Sequence, residues 1–393
     1  MKIYYANDIF HKISSVSEAR ELFPVTNSCV YLDSAHYSPY SLEVNKRLAD
    51  FINEFTFTNK NLSLFNIDMS KTLKEKIARL INSDSEDIIL TSSTTHGINI
   101  FASGVKLEPG DSVAYPDSEF PAIVYPWMNQ QRLRGIKNVL IPSVNGKTKL
   151  EDIERALKNE NVKVLSLSSV EFLGFRNDLA EIRKICDRYK CLLLVDAIQS
   201  IGACPVDVQE FKPDFLAAGS QKWMMSPSGI GFAYISKEKR DEIAPTYIGT
   251  TSIKYDFENF LDYKLDFTED GSAYENSTLN CLGMIGLEAS IELFLKLGVH
   301  NIFSHIISLQ DLFINEMQNS EFVIESDLTP VNRSNILIFS HQKRELNPVI
   351  QKQLSDENIV IALREGFLRL SPHLFNNDMD IIKLTSTLKT LRL

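Results

Sequence analysis

Short apolar runs alternate with helical patterns between about residue 70 and residue 240, and this alternation constrains the fold more than any other feature of the sequence. Strands separated by helices usually join a mostly parallel sheet, because each connecting helix crosses one face of that sheet. One intervening helix is predicted over 178–189, where Leu179, Ile182 and Ile185 share a face. The predicted strands lie at 88–91, 112–115, 138–141, 162–167, 191–196, 215–218 and 230–235. The pattern predicts a wound α/β domain with a seven-stranded sheet.

The character of the sequence changes after Pro245. A polar, aromatic-rich stretch at 247–276 lacks periodicity, and two amphipathic helical patterns follow at 284–297 and 301–317. The tail is predicted to contain a strand at 335–340, a helix at 347–354, two strands at 359–363 and 367–370, and a terminal helix. We expect an irregular N-terminal segment at 1–40 that packs on a small α+β domain at 286–393, and a large α/β domain at 41–285.

Charge and composition restrict the partners of the chain. The sequence has 41 basic and 51 acidic residues, a net charge of -10, and no basic cluster in an aromatic context, which argues against a nucleic-acid partner. No apolar run approaches the roughly 18 residues of a membrane span, and the N-terminus lacks a signal-peptide pattern, so we expect a cytoplasmic protein without a membrane partner. The five cysteines have neither CxxC spacing nor metal-ligand spacing, and we expect no disulfide and no structural zinc.

The strongest chemical signal is Lys222, which follows the apolar run at 215–218 and two small residues. Asp196 closes an earlier apolar run. Pyridoxal 5'-phosphate (PLP) chemistry requires such a pair, because the lysine forms a Schiff base with the cofactor and the carboxylate keeps the pyridine nitrogen protonated. The ring can then accept electrons from a carbanion. The two residues predict a PLP enzyme.

A hydroxyl-rich turn at 91–99 (TSSTTHGIN) leads from a predicted strand into a predicted helix. Backbone N–H groups and the positive end of a helix dipole bind phosphate at such a turn without a cation. The turn could equally be an ordinary helix cap. Beside Lys222, it is interpreted as the site of the cofactor phosphate.

Three more patterns fit the same site, and each could also have a purely structural role. Phe120 follows the second predicted strand and could lie over a cofactor ring, or it could be core packing. Gln199 could donate to the phenolic oxygen of the cofactor, or begin an exposed helix. Arg364 and Arg369 flank an apolar strand, where a guanidinium is costly unless it binds a substrate carboxylate or a structural anion.

Segments across the chain, in this order, resemble the class V aminotransferase family of fold-type I PLP enzymes. This family includes cysteine desulfurases, selenocysteine lyases, kynureninase and isopenicillin N epimerase-like proteins. The matching segments are VYLDSAH at 30–36, TSSTTHGIN at 91–99, PDSEFP at 116–121, VDAIQS at 195–200, GSQKW at 219–223, YENST at 274–278 and LRLSP at 368–372. The resemblance covers most of the chain and implies a homodimer whose sites are completed by the neighbouring subunit.

The resemblance also implies roles for particular residues. Lys222 carries the cofactor, Asp196 contacts the pyridine nitrogen, Gln199 contacts the phenolic oxygen and Phe120 stacks on the ring. Arg369 anchors the substrate carboxylate, with Arg364, His36 and Ala35 as further substrate-site candidates. The residues implied for the phosphate are Thr94, Thr95, Ser220 and Gln221, together with Thr278 and either Thr250 or Thr251 from the neighbouring subunit.

Departures from the family pattern narrow the function. Desulfurases carry a mobile cysteine before the carboxylate arginine, whereas only residues 365–368 (EGFL) precede Arg369 here. Phe120 stands where desulfurases usually have a histidine, and Glu171 replaces the usual amide near the cofactor. A glutamate facing the phenolate must be protonated or turned away. Ser277 stands where the inter-subunit motif usually has glycine. Phe120 and the short segment before Arg369 favour the isopenicillin N epimerase-like branch.

We expect chemistry at the α-carbon or β-carbon of a free amino acid, by transamination or β-elimination. Epimerisation is an alternative, although it needs a second proton carrier, and only His36 suggests itself. The sequence also leaves open a desulfurase or selenocysteine lyase that lacks the usual cysteine, and a non-catalytic PLP-fold partner protein. Neither GxGxxG nor GxxxxGK[ST] is present, which argues against a nucleotide-binding enzyme.

Overall fold

The computed structural model describes residues 13–254, 259 and 261–391. Its strands are β1 Val30–Tyr31, β2 Ile88–Thr91, β3 Ser112–Pro116, β4 Lys137–Ile141, β5 Ser143–Val144, β6 Lys147–Thr148, β7 Val162–Ser168, β8 Leu192–Asp196, β9 Phe215–Gly219, β10 Gly231–Ile235, β11 Phe322–Ile324, β12 Leu337–His341, β13 Ile359–Val360, β14 Ala362–Arg364 and β15 Phe367–Leu370. Its α-helices are α1 Leu42–Phe57, α2 Leu62–Ile81, α3 Thr94–Gly104, α4 Pro121–Arg134, α5 Leu150–Asn159, α6 Leu179–Tyr189, α7 Val208–Phe211, α8 Cys281–Leu297, α9 Val299–Glu316, α10 Asn347–Asp356 and α11 Asp378–Thr390. Short 3-10 helices lie at Val16–Leu22, Pro24–Asn27, Ser85–Asp87, Lys237–Glu242, Thr250–Ser252, Gly271–Tyr274 and Arg344–Leu346.

A seven-stranded sheet forms the centre of the larger part, in the order β2-β10-β9-β8-β7-β3-β4. The pairs from β9 to β4 are parallel, and β10 runs antiparallel to both of its neighbours. Successive residues of β2 enter different cores, with Ile88 and Leu90 on one face and Ile89 on the other. Because apolar cores lie on both faces of the sheet, its central strands are mostly apolar and buried. The predicted mostly parallel seven-stranded α/β fold is confirmed.

A second sheet of four antiparallel strands, β11-β12-β15-β14, has its own apolar core with α9, α10 and α11. The predicted single strand at 359–363 is wrong. The strand is interrupted at Ile361. Before this residue, β13 pairs in parallel with β1, and after it, β14 pairs antiparallel with β15. Strand β1 thereby ties the N-terminal segment to this C-terminal part. The domain boundary at 285/286 stays a prediction.

Within the described ranges, no helix has both the length and the apolar composition needed to cross a membrane. The same ranges contain no cluster of three or more histidine, cysteine or acidic side chains arranged for a metal ion. The five cysteines are free thiols.

Candidate active site

A cleft of about 870 Å³ opens where the carboxyl ends of the parallel strands meet the small sheet. Ligands of open α/β sheets bind at this edge, because the loops that follow the strands converge there. Most of the residues that line the cleft come from these loops, and the others come from the N-terminal segment and the β14–β15 hairpin. The lining residues are Ala35, His36, Tyr37, Ser93, Thr94, Thr95, Asp117, Ser118, Glu119, Phe120, Pro121, Ala122, Phe172, Leu173, Asp196, Ile198, Gln199, Gln221, Lys222, Arg364, Glu365 and Arg369.

Lys222 projects into the cleft from the turn after β9. Its carbonyl accepts a hydrogen bond from the N–H of Met225 at 3.0 Å, and the neighbouring Trp223 is buried. The Lys222 Nζ lies 5.4 Å from the centroid of the Phe120 ring. Burial lowers the pKa of Lys222 to about 8, although the Asp196 carboxylate favours the charged form. A substantial fraction of this amine is therefore neutral, and able to act as a nucleophile or a base, near neutral pH.

Asp196 ends β8 and is almost completely buried. Its Oδ1 accepts a hydrogen bond from the N–H of Ile198 at 2.9 Å. Burial raises the pKa of Asp196 to about 6, while the bond from Ile198 and the charge of Lys222 oppose that shift. A carboxylate in this environment gains from a cationic partner such as a protonated ring nitrogen.

The hydroxyl-rich turn begins α3, as predicted. Ser93 caps the helix by accepting from the N–H of His96, and Thr94 and Thr95 line the cleft. The Thr94 hydroxyl accepts from the N–H of Gly219 at 2.8 Å, so it also holds the strand that leads to Lys222. The start of this helix can bind an anion through its backbone N–H groups.

Two predicted cofactor residues are held differently from the expectation. The Ser220 side chain is fully buried, and its hydroxyl is 2.7 Å from the carbonyl of Pro227 and 2.9 Å from that of Ile230, so the structure does not bring it into the cleft. Gln199 lines the cleft, but its amide oxygen accepts from the indole of Trp223 at 2.8 Å. Its amide nitrogen donates to the carbonyl of Ala35 at 3.2 Å, which leaves one N–H for a ligand.

Arg369 is 2% exposed and lines the cleft. It donates to the carbonyl of Phe172 at 3.2 Å and to Asp33 Oδ1 at 3.3 Å, while its buried Nε has no partner. Burial lowers the pKa of Arg369 to about 10. His36 Nδ1 lies 3.5 Å from Asp33 Oδ2, and burial lowers the pKa of this imidazole. Arg364 donates only to its own strand, at Leu363. A guanidinium has five N–H donors, and the bonds to Phe172 and Asp33 use two of them, so Arg369 retains donors that can bind a carboxylate in the cleft.

Glu171 is turned away from the cleft. Its side chain is buried, accepts from Asn177 Nδ2 at 3.0 Å and contacts the carboxyl of Glu119, which does line the cleft. Burial raises the pKa of Glu171 well above its usual value, and the nearby Glu119 raises it further. The sequence did not single out Glu119 or Asp33 as site residues. Their partners lie far away in the chain, so only the structure relates them to the site.

Thr278 and Thr250 are exposed and lie outside the cleft, as does the half-buried Thr251. Their implied contact with the phosphate of a neighbouring subunit stays a prediction.

The sequence model of the family described as Aminotransferase class-V matches residues 30–382. The chain belongs to the class V aminotransferase family. A relative from Methanothermobacter thermautotrophicus, described as "Probable cysteine desulfurase", is 29% identical over 95% of this chain and 97% of its own length. "Uncharacterized aminotransferase YcbU" from Bacillus subtilis is 24% identical over 92% of this chain and 94% of its own length.

Solved structures share the fold at low sequence identity. The cystine C-S lyase C-DES in complex with its product cysteine persulfide superposes with a TM-score of 0.85 and 21% identity, over 94% of this chain and 99% of C-DES. An apo cysteine desulfurase from Thermococcus onnurineus superposes with a TM-score of 0.84 and 22% identity, over 95% of this chain and 96% of the desulfurase chain. The predicted family, enzyme class and PLP cofactor are confirmed. The predicted place in the epimerase-like branch is not confirmed by these matches.

Proposed function

We propose that this PLP enzyme breaks the bond between the β-carbon and sulfur of a free amino acid. The observation that carries the proposal is a single cleft lined by Lys222, Asp196 and Arg369. An amine, a carboxylate for a ring nitrogen and a carboxylate anchor are the groups that amino-acid chemistry on PLP requires.

The residues present fit PLP. Lys222 supplies an amine whose lowered pKa suits Schiff-base formation, and Asp196 is buried beside it for the ring nitrogen. Thr94 and Thr95 stand at the start of α3, where a phosphate is stabilised by N–H groups and the helix dipole. When bound, PLP supplies a sink for the electron pair that remains after the α-proton is removed.

The residues of the chain divide the other tasks. Arg369 binds the α-carboxylate through its guanidinium, which fixes the orientation of the α-carbon. The Lys222 amine takes the α-proton as a general base. The C–S bond then breaks and its electron pair leaves on sulfur. Phe120 covers the cleft beside Lys222 and restricts the entry of water.

The β14–β15 hairpin favours a lyase that releases sulfur in a small molecule. Its turn consists only of Glu365 and Gly366, which have φ angles of 50° and 77°. Such a two-residue turn is among the tightest connections between strands and offers no room for a mobile sulfur carrier. All five cysteines are within the described residues, and none lines the cleft. Arg364, at the same turn, can meet a second anionic group, such as the distal carboxylate of cystine.

We also propose a homodimer. Helices α1 and α2 carry exposed apolar side chains, among them Phe57 at 81% exposure, Leu64 and Ile67. An apolar area of this kind commonly marks an interface. Light scattering should give about twice the mass of the chain, and Ile67→Glu should lower the dimer fraction. A monomer at all concentrations would contradict the proposal.

The deciding experiment supplies the holoenzyme with cystine, cysteine and other amino acids and measures pyruvate, ammonia, sulfide and keto acids. We expect pyruvate and ammonia from a sulfur amino acid, without a keto-acid acceptor. Lys222→Ala should abolish both the reaction and the visible absorbance band. Transfer of the amino group to an added keto acid would establish a transaminase instead, and a colourless protein that binds no PLP would refute any catalytic role.

A further inference from the structure

Two loops that line the cleft each carry an aromatic ring next to a buried glutamate. Phe120 follows Glu119 after β3, and Phe172 follows Glu171 after β7. The two rings meet at a centroid distance of 6.1 Å and an interplanar angle of 62°. Behind them the two carboxyl groups are neighbours, at 7% and 1% exposure.

The partners of Glu119 are all donors. Its Oε1 accepts from the N–H of Ser168 at 2.5 Å, and its Oε2 accepts from the Ser168 hydroxyl at 2.7 Å and the N–H of Phe120 at 3.3 Å. A carboxyl surrounded in this way is suited to the ionised form, because all its contacts need an acceptor.

The surroundings of Glu171 differ from those of Glu119, because they supply a donor to only one of its two carboxyl oxygens. Its Oε1 accepts from Asn177, whereas its Oε2 is buried and has no donor. Two ionised carboxylates cannot form a hydrogen bond with each other, and a buried oxygen without a partner is costly. One proton on Glu171, donated to Glu119, removes both problems.

We propose that Glu119 and Glu171 share one proton in the folded protein, and that this acid–carboxylate pair joins the Phe120 loop to the Phe172 loop. The pair positions residues without touching the substrate. Because Arg369 donates to the Phe172 carbonyl, the same bond also fixes one side of the carboxylate anchor. Only the identification of the cleft as the reacting site rests on the proposed function.

Electrostatics agree with this geometry. Burial raises the pKa of Glu119 to about 7 and that of Glu171 well above its usual value. The charged group that faces the pair from β8 is Asp196, whose negative charge also favours retention of the proton. In the unfolded chain both glutamates ionise near pH 4.5, the ordinary pKa of this side chain. The folded pair therefore holds a proton at neutral pH that the unfolded chain has released.

The two glutamates should respond differently to amide substitution. Glu171→Gln keeps an N–H to donate to Glu119 and an oxygen to accept from Asn177, so we expect ordered loops without the shared proton. Glu119→Gln turns an NH₂ group toward a Ser168 donor, and Glu171→Leu removes the bond. Glu119→Gln and Glu171→Leu should therefore both increase amide hydrogen exchange in residues 117–121 and 170–175. The exchange is measured by mass spectrometry on the protein without PLP. Equal exchange in Glu171→Gln and Glu171→Leu would overturn the positioning role.

The proton is tested separately, by infrared spectroscopy and unfolding. At pH 6, the wild-type spectrum should contain a carbonyl band of a protonated buried acid that is absent from the Glu171→Gln spectrum, beyond the contribution of Asp196, which both proteins share. Glu43→Gln should keep the full wild-type band, because Glu43 is buried in an ion pair with Arg47. Between about pH 5.5 and 7, the folding equilibrium constant of wild type should fall by up to tenfold per pH unit relative to Glu171→Gln, as one released proton requires. Absence of the band together with equal slopes would overturn the shared proton. Neither readout depends on the reaction catalysed, so failure of the proposed lyase activity would leave both intact.

Discussion

Replacing Arg369 with alanine removes the guanidinium of a residue that lines the cleft and is only 2% exposed. If that guanidinium binds the α-carboxylate of the substrate, the variant loses a desolvated, charge-assisted interaction. Truncating one partner of such a pair costs roughly 2–5 kcal/mol, which weakens binding by about 30- to 5,000-fold.

The same change affects folding, since it removes the ion pair of buried Asp33 and leaves only the more distant His36 and Arg364 to offset its charge. An uncompensated buried charge costs about 3–5 kcal/mol of unfolding free energy. The double variant Asp33→Asn, Arg369→Ala removes both charges and should recover most of that loss without recovering substrate binding.

The assay is the dissociation constant of the first complex with the holoenzyme, measured by stopped-flow from the spectral change of the cofactor before the C–S bond breaks, with two ligands that differ by one group. Cysteine carries the carboxylate, and cysteamine is the same molecule without it. Arg369→Ala should weaken the binding of cysteine strongly and leave the binding of cysteamine nearly unchanged. Arg364→Ala is the matched control, because Arg364 is partly exposed and, among the described residues, donates a hydrogen bond only to Leu363 of its own strand. This variant should lose less than about 1 kcal/mol of binding free energy for cysteine.

Equal weakening of both ligands by Arg369→Ala would refute the reasoning, because the loss would then come from a distorted cleft. Unchanged affinity for cysteine would refute it as well. In that case the role of Arg369 is its ion pair with Asp33.

Three further predictions concern the cofactor half of the site and its support. Incorporation of PLP into the apo-protein should speed up with pH and level off above about pH 8, because only the neutral Lys222 amine reacts and its pKa is lowered to about 8; a rise that continues to pH 10 in stopped-flow absorbance would contradict this. Burial lowers the pKa of His373 from 6.5 to about 4, so the stability that this neutral ring contributes is present above pH 6.5 and falls by about 3 kcal/mol as the pH drops to 4. Urea unfolding of His373→Gln should lack that part of the slope, and identical slopes would exclude it. In Gly97→Ala the new Cβ lies 2.8 Å from the Cβ of Ala217, which is too close for two carbon atoms. The free energy of unfolding should fall by about 1–3 kcal/mol in thermal or urea unfolding, and PLP should bind more weakly because α3 must move. An unchanged unfolding free energy and PLP affinity would contradict this close packing.

That Lys222, Asp196 and Thr94 line one cleft was predictable, because these residues stand at recognisable points of a regular pattern. Asp196 ends a buried strand and Lys222 follows another, and parallel strands bring their carboxyl ends to one edge. Thr94 follows the same logic at the start of α3. For these residues, position along the chain nearly determines position in space.

The remaining contacts depend on which side chains meet across distant segments, and no local pattern contains that information. Ser220 resembles a phosphate ligand in sequence, yet its hydroxyl satisfies backbone carbonyls. Glu171 looked like a cofactor contact, and its contact with Glu119 is visible only once β3 and β7 are neighbours. The strand expected at 359–363 was wrong because its first half pairs with β1, from the other end of the chain.

The ion pair between Arg369 and Asp33 joins residues 336 positions apart. During synthesis, the segments that carry Asp196 and Lys222 leave the ribosome well before Arg369 is made. The proposed carboxylate anchor is therefore among the last parts of the site to be synthesised, and it lies on a short hairpin in a separate sheet. Changes to that hairpin can alter which amino acid is accepted while the segments that hold the cofactor stay the same. The fold thus gives substrate choice and cofactor chemistry separate routes of evolutionary change.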